Sequence, residues 1–166
     1  MSNVLIGIIG VILFIGLALA GALFLGPRFQ EAQNASKASA TVQSMSQIAS
    51  AVQMWQLDKG QKYPSGPADA LVTSGFLKSR PANSIPTGGL FDTRSKEGTY
   101  VGDAYVVIAG LIRDEQTTKI CAEINRQING SPTIPNTDGP TTQSGCFYNS
   151  GSWGGLDGMF LITRVI

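Results

Sequence analysis

The chain has 166 residues, 43% of them hydrophobic, with 12 basic and 11 acidic side chains and a formal net charge of +1. This length holds one domain plus an appendage, and the absence of a basic stripe argues against nucleic acid as the main partner. The chain has no histidine and only two cysteines, Cys121 and Cys146, which removes the commonest general base and metal ligand and rules out a disulfide-framework miniprotein.

The first element is MSNVLIGIIGVILFIGLALAGALFLGPRF, which carries no charged side chain before Arg28. Asn3 to Gly26 is long enough to cross a bilayer as a helix, for which ~20 apolar residues suffice. A signal peptide, a membrane anchor and a segment packing against its own copies all fit such a run. With no Lys or Arg ahead of it and an apolar run longer than a signal needs, the signal peptide is the weakest of these readings.

Helix-compatible sequence continues as RFQEAQNASKASATVQSMSQIASAVQMWQLDKG. Val42, Met45, Ile48, Ala49, Val52 and Trp55 recur at steps of three and four and make one apolar stripe, predicted to cover a globular core. Gly60 is the expected stop. Taken as one helix, about 55 residues at ~1.5 Å each would extend ~80 Å, its first half protruding from the domain. Gly26 and Pro27 are expected to kink or melt it, because proline lacks the amide proton. The chain therefore divides into residues 1–27 (apolar helix), 28–59 (amphipathic continuation) and 60–166 (globular domain).

From Gln61 to Gly98 the sequence is loop-like, punctuated by Pro64, Pro67, Pro81 and Pro86, with a short helical turn from Asp69 to Phe76 ending at Gly75. Strand character begins near Tyr100 and is clear from Ala104 to Ala109, where Gly110 is expected to end it. Asp114 then offers an N-cap to a helix whose apolar face is Ile120, Cys121, Ile124 and Ile128, up to Gly130. Ser131 to Gly145 reads as an exposed loop, NSGSWGGLDG as a glycine-rich turn containing Trp153, and Met159 to Ile166 as a covered strand. The loops at Pro81 to Gly89 and Ser131 to Gly145 are candidates for contacts with other molecules.

Two cysteines suit one staple, the alternative being two independent buried thiols. A disulfide would place the domain outside the cytoplasm. No sequence feature points to catalysis. The glycine-rich turn matches neither a phosphate loop nor a dinucleotide fingerprint, and Asp114 and Glu115 read as first-turn acids favoured by the helix dipole. No enzyme activity, metal or cofactor is expected.

The order of these features resembles a type IV pilin, most closely the type IVb, toxin-coregulated-pilin-like class. The most specific stretch is AYVVIAGLIRDEQTTKICAEINRQI, a strand, a Gly-Leu turn and a cysteine-bearing helix, followed by a second cysteine ahead of a terminal strand. The resemblance implies an α+β pilin fold: a long N-terminal helix packed on an antiparallel sheet, with a D-region at 121–146 closed by Cys121 and Cys146. It implies a processed, N-methylated N-terminus at Met1, storage in the inner membrane, and extraction by pilus assembly machinery into an extracellular homopolymer. Val4, Leu5, Ile8, Ile9, Ile12, Leu13, Phe14, Leu17 and Phe24 would pack the filament core, and Val42, Met45, Ile48, Val52 and Trp55 would hold the helix to its domain. The sequence departs from the family at Leu5, where pilins carry a glutamate, and no acid precedes Glu31. A minor or tip pilin or a pseudopilin, and a single-pass membrane-anchored extracytoplasmic domain that does not polymerise, are the alternative readings.

Overall fold

The computed structural model describes residues 2–61, 63, 66–95, 105–137, 144–150 and 157–165. It is a mixed α+β chain of two compact units, Met1–Asn34 and Ala35–Ile166. The elements are α1 (Ser2–Lys59), β1 (Gly66–Pro67), α2 (Asp69–Thr73), β2 (Asp92–Ser95), β3 (Tyr105–Leu111), α3 (Glu115–Asn129), β4 (Ser144–Ser150) and β5 (Asp157–Val165).

Helix α1 is assigned without interruption through Gly26 and Pro27, so the expected local melting does not occur in the hydrogen-bond pattern. A proline φ is itself helical, and its missing N–H removes a single bond from a ladder whose neighbours remain. The side chains of Phe24 and Pro27 lie outside the described residues. At its C-terminal end the helix closes where expected: Gly60 adopts φ +62°, and its N–H donates to the Gln56 carbonyl at 2.9 Å. This left-handed position costs a glycine nothing sterically.

The strands form one antiparallel sheet in the order β1-β2-β3-β5-β4. One face carries Val107, Ala109 and Leu111 from β3 and Met159 and Leu161 from β5, all buried. They form a core with Ala38, Met45, Ile48, Ala51 and Val52 of α1 and Ile120 and Ile124 of α3. The opposite face buries Phe147, Phe160 and Ile162, with the two phenylalanine rings 5.9 Å apart between centroids.

Four local features differ from the sequence reading. Strand β3 does not stop at Gly110; it runs on to Leu111 because Gly110 and Leu111 pair with Phe160 and Met159. Ladder pairing outweighs the weak strand preference of glycine. The segment Gln61–Gly98 is not all loop, since β1 and β2 pair within it, β2 completing its ladder against β3 through Asp92–Ser95. Likewise Ser144–Ser150 is a strand, so the loop after α3 ends before Gly145. Ile128 is 37% exposed, so the apolar face of α3 closes at Ile124. The strand beginning expected near Tyr100, and Trp153 in its glycine-rich turn, lie outside the described residues.

Helix α3 begins as its sequence dictates. The Asp114 carboxylate accepts the Thr117 N–H at 2.6 Å, satisfying one of the helix's free N-terminal donors. Gly130 closes the helix at φ +73°, its N–H donating to Arg126. The hydrogen bond from Thr117 holds the Asp114 carboxyl below the usual aspartate range, with partial burial opposing it. Because the folded pKa is depressed, this contribution to stability is present above the unfolded aspartate pKa and is lost as pH falls through the folded value. Acid unfolding below the ordinary aspartate range is therefore expected to flatten in Asp114→Asn, which keeps a capping oxygen without the charge. An unaltered acid profile would count against this role.

Candidate functional surface

The first unit is a helix with no apolar inside and polar outside. From Val4 to Leu23, the large apolar side chains are between 49% (Ile9) and 77% (Leu23) exposed, and they point in every direction around the axis. A helix apolar all round finds its stable place in lipid or within a protein interior. α1 is long and apolar enough to span a membrane, with a mean hydropathy of 2.8 over its most apolar window, none of which is buried. Val4, Leu5, Ile8, Ile9, Ile12, Leu13, Phe14 and Leu17 all belong to this uncovered surface; Met1 lies outside the described residues. Cβ atoms built at Gly7, Gly10, Gly16 and Gly21 would meet nothing within 4 Å, so these positions are open to close approach. The first charges, Arg28 and Glu31, form an exposed ion pair at 3.4 Å.

Further along, the same helix changes character. Met45, Ile48 and Val52 are buried in the domain core, and Val42 and Trp55 are half-buried against it. The stripe includes two positions that composition alone conceals, Ala38 and Thr41, both fully buried. Thr41 returns its hydroxyl to the Lys37 carbonyl at 2.9 Å, which lets a polar side chain sit in the apolar seam. Trp55 meets Tyr63 edge to face, the ring centroids 5.0 Å apart. Burial raises the Tyr63 pKa, and its hydroxyl has no hydrogen-bond partner among the described residues. On its outer side α1 borders a shallow groove of about 360 Å³ lined by Ser46, Gln47, Ser50, Ala51, Met54, Phe76 and Leu77.

The two cysteines are joined: Cys121 on α3 and Cys146 on β4 form a disulfide across a sequence separation of 25. Both are buried. Beside it sits Asn125, which the sequence reading passed over. Its Nδ2 donates to the Thr133 and Cys146 carbonyls at 2.8 and 2.9 Å, and its Oδ1 accepts the Cys146 N–H at 2.7 Å. The signal was an asparagine one residue after Ile124, within the helical face that holds Cys121. Gly145 is the matching requirement: at φ +140°, a Cβ there would lie 2.6 Å from the Asn125 Oδ1.

Of the loops expected to be available for contacts, Pro81–Gly89 is tied down. Ile85 is buried, the Ser44 hydroxyl donates to the Ala82 carbonyl, and Thr87 shares a hydrogen bond with Thr117 at 2.5 Å. Arg80 anchors the entry to this loop, reaching Asp69 at 2.6 Å and the Phe91 carbonyl at 2.9 Å. In the other loop, Ser131–Thr133 are exposed, while Ile134 and Pro135 are half-buried. Among the described residues, no three His, Cys, Asp or Glu side chains gather in a way that could hold a metal ion.

No protein-family model, no characterised protein and no solved structure matches the chain.

Two substitutions separate the two halves of α1. Ile48→Ala is expected to destabilise the domain by about 2–5 kcal/mol, whereas Ile8→Ala leaves its stability unchanged, both read by denaturant unfolding in detergent. Equal effects would show that the apolar half supports the domain's core. Reduction of the disulfide, or Cys121→Ser, is expected to cost roughly 3–4 kcal/mol for a loop of this length. An unmoved unfolding midpoint under reducing conditions would remove the disulfide from the sources of stability.

Proposed function

We propose that the protein is a structural subunit of a helical filament, polymerising through the apolar half of α1, in the manner of a type IV pilin of the type IVb class. The observation that carries the reading is the apolar surface from Val4 to Leu23, exposed on every side of one helix that leads into a disulfide-stapled α+β domain. Exposing ~20 such side chains at ~1.5 kcal/mol or more each would cost tens of kcal/mol. The segment therefore moves between two non-aqueous settings: the inner membrane before assembly, and the packed helices of neighbouring subunits afterwards. Each subunit offers its helix to different surfaces of its neighbours, and heterologous contacts of this kind that do not close into a ring generate an open helical polymer.

In this reading the domain lies outside the cytoplasm, where its disulfide persists, and in the filament it faces the extracellular medium. Pilus assembly machinery performs the extraction. The protein's part is structural rather than enzymatic, and it needs no cofactor. Leu5 and the absence of acid before Glu31 leave the contacts between helices purely apolar. That avoids burying a charge, at the expense of a register signal that a buried ion pair would supply.

The same absence of acid favours a second reading, a single-pass anchored domain that stays monomeric. Electron microscopy of sheared material decides between the two. Filaments are expected from the wild-type chain and are expected to disappear in Ile8→Asp and Leu13→Lys, with the domain still folded and its disulfide intact. Intact filaments from either variant would sink the packed-core proposal, and monomers from wild type would favour the anchored domain.

A further inference from the structure

Strand β4 lies at one edge of the sheet, and an edge strand normally presents a row of unpaired N–H and C=O groups to any incoming strand. Along β4, the groups turned away from β5 come from alternate residues, and from the Ser144 carbonyl to the Tyr148 carbonyl each has a partner. Asn129 Nδ2 donates to the Ser144 carbonyl at 3.1 Å. Asn125 takes both groups of Cys146. The Tyr148 N–H donates to the Pro135 carbonyl at 2.8 Å, and its carbonyl accepts the Thr137 N–H at 2.9 Å. Five consecutive outward groups, from the Ser144 carbonyl to the Tyr148 carbonyl, are thus occupied without a neighbouring strand of regular length.

We propose that the asparagines of α3, with the segment Pro135–Thr137, seal this edge so that a second copy of the chain cannot add a strand to it. The spacing suits the task. Asn125 and Asn129 are four residues apart on a helix, ~6 Å along its axis, and their targets are two residues apart on a strand, ~6.6 Å. Two carboxamides on one helical face therefore reach successive outward positions of the strand. A carboxamide carries both a donor and an acceptor, as a backbone peptide does, and so can stand in for a partner strand at Cys146. The Cys121–Cys146 disulfide fixes the register of helix against strand, and Gly145, free of a Cβ, allows the close approach. At the opposite edge the two-residue β1 includes Pro67, which has no N–H to offer a further strand. Strand addition by another copy is thereby blocked along β4 from Ser144 to Tyr148. This inference rests on the sheet edge alone and holds whether or not the apolar helix polymerises.

The test uses the full oxidised chain in detergent, in an Ile8→Asp background so that association through the apolar helix is removed. In the parent, the Cys146 and Tyr148 amides are expected to exchange with deuterium as slowly as the Phe147 amide inside the ladder. Exchange as fast as at the exposed Ser131–Thr133 loop would overturn the proposal, and this measurement needs no edge variant to fold. Asn125→Ala/Asn129→Ala is expected to lose protection at Cys146 and to shift by light scattering from monomer to larger, thioflavin-positive species. A folded double variant, disulfide intact, that stays monomeric and thioflavin-negative would equally overturn it.

Discussion

The first half of α1 cannot be left in water, and much else about this protein follows from that constraint. A small domain is stable by only ~5–15 kcal/mol, whereas ~20 apolar side chains kept from solvent represent tens of kcal/mol. The setting of residues 4–25 is therefore decided by a larger free energy than the one that folds the domain. Because α1 runs on into the domain, whatever non-aqueous phase takes the helix also tethers the domain. The chain's charges respect this: none appears before Arg28, and the pair it forms with Glu31 is exposed.

Beyond Asn34 the same helix serves a different end. Its apolar residues narrow from all faces to a single stripe, from Ala38 to Trp55, and that stripe is one wall of the domain core. One continuous helix thus carries two hydrophobic patterns, an all-round one for lipid or other helices and a one-sided one for a sheet. Truncating a side chain in the second pattern leaves a cavity in the core, while the side chains of the first are exposed.

The α3–β4 region shows a second division of labour. The disulfide limits the unfolded chain's freedom, while Asn125, itself buried, meets the backbone needs of buried Cys146 and also holds the Thr133 carbonyl. A buried polar group is tolerated when its hydrogen bonds are made, and here three are made by one side chain. Under the proposed function the arrangement also separates two kinds of surface, an apolar helix open to partners and a sheet edge closed to them.

Helix α3 was legible because its ends are written in residue types with few alternatives, an aspartate that accepts a backbone N–H and a glycine at positive φ. The short α2 was legible for the same reason, its exit marked by Gly75 at φ +79°. Strand β5 was legible from its β-branched apolar run. β2 was not: Asp92-Thr93-Arg94-Ser95 shows no apolar alternation, and it is a strand only because β3 offers it a ladder. β4 was concealed by serines, an asparagine and a glycine, residues that signal turns when read locally. Asn125 looked like an ordinary polar residue, since its role depends on a strand roughly twenty residues away along the chain.

The sequence by itself determined where water is excluded, which helix ends are capped, and that two cysteines were available to pair, because these depend on side-chain chemistry and short-range spacing. Only the tertiary structure decided that Gly110 continues a strand, that a polar tetrapeptide joins the sheet, and that two asparagines cover its edge. Each of those rests on backbone groups finding partners far along the chain, and hydrogen-bond demand is the same for every non-proline residue. Local sequence therefore carries little of that information, and the assembled fold supplies it.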